Sequence, residues 1–452
     1  MSNKKKFKNQ KNFLSELVFE MIKSSKFNQD IKDHLINKHY QKSWFNEGIV
    51  LCLEEENSKK YEQLYRKFEL SEEGTVLSGK EFEEIIAGTV FDYLSKNMKR
   101  KYTKIDSQRI SREILTKIER SLFRGRVAIP LFGIDLRVSK LKVGNCNIVK
   151  VTDNWCKRNT FCAKDVKIVF ELSEEPDAVY VFDTKKDIST MKVKLGSVCA
   201  EFPLKTSTKK ILETSLKFLG QIIGFLWLYV PLNPYCSEDS LAFGPHFGRQ
   251  NDLALSPFFI NDKDSKEIKR IILDCRRSVP NTLTIDDNVI HKYKKNGNYN
   301  KFSKLLFEKE TNTEMIERLK TSLFWYGRAM SQIDTTQKFL FLAIALEALL
   351  SPQKKEGIIS SISESAAFLL YSNVDERIGL IKTLKEIYDQ RSSVVHGRTN
   401  TVAPTDIKNL QTIVKLSIVR ILTSKFTQSS YKEFSDKLKV FKFSYRIKRG
   451  EL

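Results

Sequence analysis

The segment Tyr388-Asp389-Gln390-Arg391-Ser392-Ser393-Val394-Val395-His396-Gly397 sets an arginine five positions before a histidine, at the end of an expected helix. That pairing suits RNA phosphodiester chemistry. An imidazole titrates near neutral pH and can move a proton as base or acid. A guanidinium stays charged and offers a planar fork to phosphate oxygens, so it can hold the negative charge that builds as a 2′-hydroxyl attacks its own phosphate. The other four histidines, His34, His39, His246 and His291, sit in no comparable setting. The competing account is structural: a helix-end Arg and His that bind carbonyls or a carboxylate.

These residues depend on the elements around them. From about Lys301 the apolar positions recur at helical spacing. Leu306 to Gln332 is expected as one long amphipathic helix. Asp334 is expected to cap the next, which carries Phe339, Leu342, Ala343, Leu346, Leu349 and Leu350. Ile358 to Tyr371 follows. Asp375 opens a helix with Ile378, Ile381, Leu384 and Ile387 inward, and Pro404 starts a last one running to about Phe426. Long helices joined by short loops make an up-and-down bundle.

Within this bundle the order of motifs is specific where an Arg-x4-His spacing alone is not. Leu342-Ala343-Ile344-Ala345-Leu346-Glu347-Ala348-Leu349-Leu350 is followed by Ala366-Ala367-Phe368-Leu369-Leu370. Then come Arg377-Ile378-Gly379-Leu380-Ile381 and the Tyr388 to Gly397 segment. This arrangement resembles the Apea-like branch of the HEPN superfamily, over roughly residues 306–426. The resemblance implies a helical bundle and a metal-independent ribonuclease of toxin, abortive-infection and antiviral systems. It implies Arg391 and His396 as the active pair, Ser392 as the polar residue after the arginine, and Glu347 as a supporting acid on a facing helix. It also implies products with 2′,3′-cyclic phosphate and 5′-hydroxyl ends, and no cofactor or metal.

One histidine cannot be base and acid in a single concerted step. The chain holds one such motif, so a homodimer is expected, with Arg391 and His396 of two copies lining one cleft. Glu347 either orients Arg391 or is a surface acid paired to a nearby lysine. Tyr388, one turn before Arg391, is expected to pack or hydrogen-bond in the bundle rather than touch substrate.

The rest of the chain supplies context. Its 452 residues exceed one ordinary core, and 41% hydrophobic content with 30 Phe excludes wholesale disorder. Three regions are expected in an α+β multidomain chain: a helical N-terminal region over 1–123, a β-rich central domain over 124–300, and the bundle with a basic tail over 301–452. In the first, Phe82, Ile85, Ile86, Val90 and Leu94 form one stripe and Ile110, Ile114, Ile118 and Leu122 another. In the second, Ile148 to Val151, Val166 to Phe170, Ala178 to Phe182 and Val193 to Phe202 are expected strands of an antiparallel sheet, with Val143-Gly144-Asn145 as a turn. A helix is expected over Ser265 to Asp274, and an exposed loop from Pro280 to Asn300. This central region is a possible sensor, with a phage-derived or nucleic-acid trigger.

A net charge of +22 favours a polyanion partner, RNA first, unless a Lys- and Asn-rich composition merely supplies solvated surface. Arg398 and the tail residues Lys437, Lys439, Lys442 and Arg446 are candidate RNA contacts. In a strand, Lys437 and Lys439 would share one face; the alternative is an edge strand kept soluble by lysine. The seven cysteines form no Cys-x-x-Cys pair, which argues against zinc and for reduced thiols in a cytoplasm. No signal-peptide core follows Met1-Ser2-Asn3-Lys4-Lys5-Lys6, and the apolar run Ile222 to Val230 is too short to span a bilayer.

Overall fold

The computed structural model describes residues 79–97, 102–152, 198–207, 210–229, 283–295, 297–308, 313–332, 334–352, 357–399 and 401–443, together with short pieces of the remaining sequence. The architecture is mostly helical with a small antiparallel sheet in the middle. The chain divides into two compact units, residues 1–124 with 204–211, and residues 125–203 with 212–452.

The first unit adds a small sheet to the helices expected there. Strands β1 (Lys26–Phe27), β2 (Lys42–Asn46) and β3 (Ile49–Leu53) form an antiparallel sheet in the order β1-β3-β2. Asn46 pairs with Ile49 in the β2–β3 register, between strands rich in aromatic and β-branched residues. Helices α1 (Gly79–Lys96) and α2 (Lys104–Ser121) follow. Phe82, Ile86, Val90 and Leu94 bury against Ile110, Ile114 and Ile118, and Leu14, Val18 and Met21 complete this core. Leu122, expected on the second stripe, instead begins a strand.

In the second unit the strands are β4 (Leu122–Phe132), β5 (Ile134–Leu136), β6 (Lys140–Val143), β7 (Cys146–Lys150), β8 (Val166–Ile168), β9 (Asp177–Thr184), β10 (Asp187–Lys194), β11 (Val198–Ser207), β12 (Gly244–Pro245), β13 (Phe258–Asn261), β14 (Ile272–Leu273) and β15 (Leu283–Ile285). The larger sheet runs β12-β4-β11-β7-β6, with β13 also on β4, and a smaller one runs β14-β10-β9-β8. β9 pairs antiparallel with β8 and β10, β7 with β6 and β11, and β4 with β12 and β13, whereas β10 with β14 and β5 with β15 are parallel. Gly144 turns β6 into β7 with φ 55°, and a Cβ there would lie 2.3 Å from Phe307 Cβ. Only glycine meets both demands. Of the helix expected over Ser265 to Asp274, Ile272–Leu273 is a strand and the other positions lie outside the described residues.

The expected loop from Pro280 to Asn300 is instead β15, helix α4 and the start of α5. Labelled in chain order, the helices of this unit are α3 (Ile211–Trp227), α4 (Asp287–Lys295), α5 (Gly297–Phe307), α6 (Glu314–Met330), α7 (Thr335–Leu350), α8 (Ile358–Leu370), α9 (Val374–Val395), α10 (Pro404–Thr423) and α11 (Tyr431–Phe443). Asp286 caps α4 by accepting from Val289 N at 2.9 Å. Tyr293 and Tyr299 are buried, which overrides the weak helix propensity of an Asn-, Gly- and Lys-rich stretch. The expected single helix from Leu306 to Gln332 is divided, because Thr313 caps a new start at α6.

Helices α3 and α6 cross with their backbones in contact. A Cβ on Gly224 would lie 2.1 Å from Leu323 O, and one on Gly327 2.1 Å from Gly220 O. Asp334 caps α7 as expected, accepting from Gln337 N at 2.7 Å. Leu342, Leu346 and Leu349 are fully buried there. α9 opens beside Asp375 as expected, with Asn373 as its cap. On α9, Leu384 and Ile387 are buried, but Ile378 is 61% exposed. Among the described residues no helix is long and apolar enough to cross a membrane.

Candidate functional site

Helix α9 carries the expected site residues on its last turns, and α7 faces it with Glu347. Arg391 Nε lies 3.0 Å from Glu347 Oε1, and Nη2 donates to Oε2 at 3.4 Å. The closer approach lacks hydrogen-bond alignment, so the pair is held by charge more than by a well-made fork. Nη1 has no protein partner among the described residues. Burial raises the Glu347 carboxyl above its ordinary value, and the Arg391 charge offsets part of that rise.

Tyr388 lies one turn before Arg391 and is buried, as expected of a packing residue. Its hydroxyl has no hydrogen-bond partner. Burial raises its phenol far above the usual range; the negative Glu347 adds to this and Arg391 opposes it. Tyr388, Glu347 and Arg391 are therefore near enough to feel one another's charge. The neighbouring Gln390 Oε1 is likewise buried and unpaired.

His396 is brought to the same helix end but not to the same face. Five residues at about 100° each place it roughly 140° around the axis from Arg391. It forms the helix C-cap, its N–H donating to Ser392 O at 3.0 Å. Gly397 follows with φ 69°, its N–H donating to Val394 O at 3.1 Å, and Arg398 N–H donates to Ser393 O at 2.8 Å. This double closure is a Schellman end, which needs a left-handed residue after the cap. Ser392, His396 and Arg398 are exposed, and the His396 side chain has no partner among the described residues.

The tail contradicts the strand reading. Lys437 and Lys439 belong to α11, which buries Phe434 and Leu438 four residues apart. On a helix the two lysines point about 200° apart and share no face. Lys437 sits over the Phe426 ring at 5.6 Å, and Lys439 pairs with Asp436 at 3.3 Å. Lys442 is in the helix; its side chain, and Arg446 altogether, lie outside the described residues.

Sequence reasoning missed the groove beside Glu347. About 430 Å³ in size, it is lined by Glu314, Glu317, Arg318, Glu347 and Ser351. Arg318 pairs with Glu314 at 3.4 Å, donates to Ser351 O at 3.0 Å and stacks on Tyr431 at 3.8 Å. It thereby satisfies carbonyls at the end of α7 that have no partner within their own helix. The only sequence signal was two glutamates three apart opening a helix, which is common. The groove is acidic, so it offers phosphate no attraction of its own. Among the described residues no group of three or more His, Cys, Asp or Glu side chains is placed to hold a metal ion. Cys146 and Cys199 are buried free thiols.

No family model, curated protein or solved structure matches this chain.

Proposed function

We propose that the protein is a metal-independent endoribonuclease of HEPN type, acting as a toxin-like effector of bacterial antiphage defence. Arg391 on α9 carries this reading. Its Nε side meets Glu347 at 3.0 Å while Nη1 is left to an incoming phosphate, and an exposed His396 ends the same helix. Arg391 neutralises the phosphate undergoing attack, and His396 moves the proton of the 2′-hydroxyl or of the leaving 5′-oxygen. Cleavage then leaves a 2′,3′-cyclic phosphate and a 5′-hydroxyl. The 140° divergence within one chain favours a site completed by a second copy, whose His396 supplies the other proton-transfer step.

A non-catalytic RNA-binding or protein-interaction module is the second reading. It is favoured by the partial engagement of Arg391 and by Val374, Ile378 and Val395, which leave apolar surface exposed along α9. The two readings separate in one experiment. Purified full-length protein is incubated with RNA, and the new ends are analysed beside those made by His396→Ala. The proposal expects cyclic-phosphate ends from the native protein and a rate at least ~100-fold lower in the variant. RNA left intact, or cleaved equally by both, overturns it.

A further inference from the structure

A second cavity, of about 710 Å³, lies where the β5–β6 turn and β6 face helices α4 and α5. Its walls come from residues 137–144 and 287–308, stretches with no sequence motif between them. Five cationic side chains line it, against the two carboxylates of Asp287 and Glu308. Two of these cations are committed: Arg137 pairs with Asp135 at 2.8 Å and Lys142 with Glu308 at 3.5 Å. Lys140, Lys294 and Lys304 are exposed and have no acidic partner among the described residues.

The floor is apolar and fixed. Tyr293 and Tyr299 stack at 5.3 Å with an interplanar angle of 12°, and Tyr229 packs edge-on against both. Tyr299 OH donates to Lys142 O at 3.0 Å, and Ser303 Oγ accepts from Gly144 N at 2.6 Å, so helix and hairpin are tied together beneath the opening. Burial holds both phenols neutral, that of Tyr293 being pushed up to about 12, so the floor adds no negative charge.

We infer that this cavity binds a small phosphorylated ligand of nucleotide size, its phosphates held by Lys140, Lys294 and Lys304 and its apolar part resting on Ile290 and Tyr293. The volume falls within the range of small-molecule sites, roughly 300–1,000 Å³. Three unpaired ammonium groups around one opening match a polyanion better than a single carboxylate. A closed, rigid floor favours a compact molecule over an RNA strand, which needs an open groove, and leaves little ordering to be done on binding. The inference does not depend on RNA cleavage.

The test is calorimetric titration of the full-length protein at low ionic strength with ATP, inorganic triphosphate and a short single-stranded RNA. ATP is expected to bind once per chain, more tightly than inorganic triphosphate, and more weakly as salt rises. Lys140→Ala/Lys294→Ala/Lys304→Ala together should weaken ATP by at least ~30-fold. These lysines are exposed, so an unchanged melting temperature is expected to accompany the loss. Lys437→Ala/Lys439→Ala, which alters cations outside the cavity, should leave ATP affinity unchanged. Four results overturn the inference: no ATP binding at millimolar concentration, triphosphate binding as tightly as ATP, an equal loss in the Lys437/Lys439 variant, or RNA binding that needs the three lysines while ATP does not bind.

Discussion

Two helix meetings in the second unit are built on opposite terms. Where α3 crosses α6, Gly220, Gly224 and Gly327 bring backbone against backbone, and a single added Cβ would lie 2.1 Å from a carbonyl oxygen. Where α7 meets the end of α9, two charged side chains span the gap, and Arg391 and Glu347 remain 30% and 25% exposed. The first meeting leaves no space for another atom at these glycines, although the same two helices bury Ser215 Oγ and Ser322 Oγ without a hydrogen-bond partner. The second leaves the Tyr388 hydroxyl, Gln390 Oε1 and Arg391 Nε without aligned partners. Unmet polar groups cost stability, and those of the second meeting, unlike those of the first, lie beside charged side chains that another molecule can reach. Close backbone packing and the candidate site thus occupy different parts of the second unit.

The contrast breaks if chemistry and stability move together. In His396→Ala, the loss of cleavage should come with a stability change within ~0.5 kcal/mol, since the side chain is exposed and unpartnered. Gly327→Ala should do the reverse. Urea denaturation should show a loss of ~3 kcal/mol or more, because backbone cannot move aside as a side-chain tip can, while the folded fraction cleaves normally. Gly397→Ala has open space around its Cβ but a φ of 69°, so only conformational strain acts. It should cost about 1 kcal/mol by the same measurement.

The smallest effect sharpens the comparison through pH. The carboxyl of Glu347 is raised above its ordinary 4.5, with burial the larger cause. Protonation is therefore easier in the folded chain than in the unfolded one. This contribution to stability is fully present below the unfolded value and is lost as pH rises through the raised folded value. The stability of the native protein relative to Glu347→Gln should fall over that window and then stay flat to neutral pH. Paired denaturation curves at each pH check this. A difference that grows with pH would mean that the Arg391 ion pair outweighs burial, and the α7–α9 contact would then be a stabilising clamp.

Local chemistry was legible from the chain. Asp334 capping α7, Pro404 opening α10, the turn at Gly144 and the stripes on α1 and α2 follow from side-chain preferences that act within a few residues. The helix ending near His396 was expected from helical spacing, whereas Glu347 facing Arg391 was expected only from the order of the motifs, and the structure pairs the two at 3.0 Å. What failed depended on distant partners. Tyr293 and Tyr299 make helices of a stretch that looks like loop, because their rings find Tyr229 and Phe225. Lys437 to Val440 alternates like a strand, yet burying Phe434 and Leu438 demands a helix. Ile378 keeps the helical period but finds no neighbour to cover it. The basic cavity and the acidic groove were invisible, each being assembled from segments far apart in the chain.

The short parallel pairing of β5 with β15 joins Ile134 to Leu283 and Leu136 to Ile285. It closes a loop of about 150 residues, and the chain entropy lost in that closure is ~4 kcal/mol before any contact rewards it. Three paired residues supply little against such a term, so this clasp is expected to form after the helices that need only local contacts. Residue 140 begins β6 shortly beyond one arm of the clasp, and residue 287 begins α4 just beyond the other. The two walls of the basic cavity are therefore the two ends of one long closure in this unit. A molecule gripping both would act as a latch, slowing the reopening of the loop without touching the helices that carry Arg391 and His396.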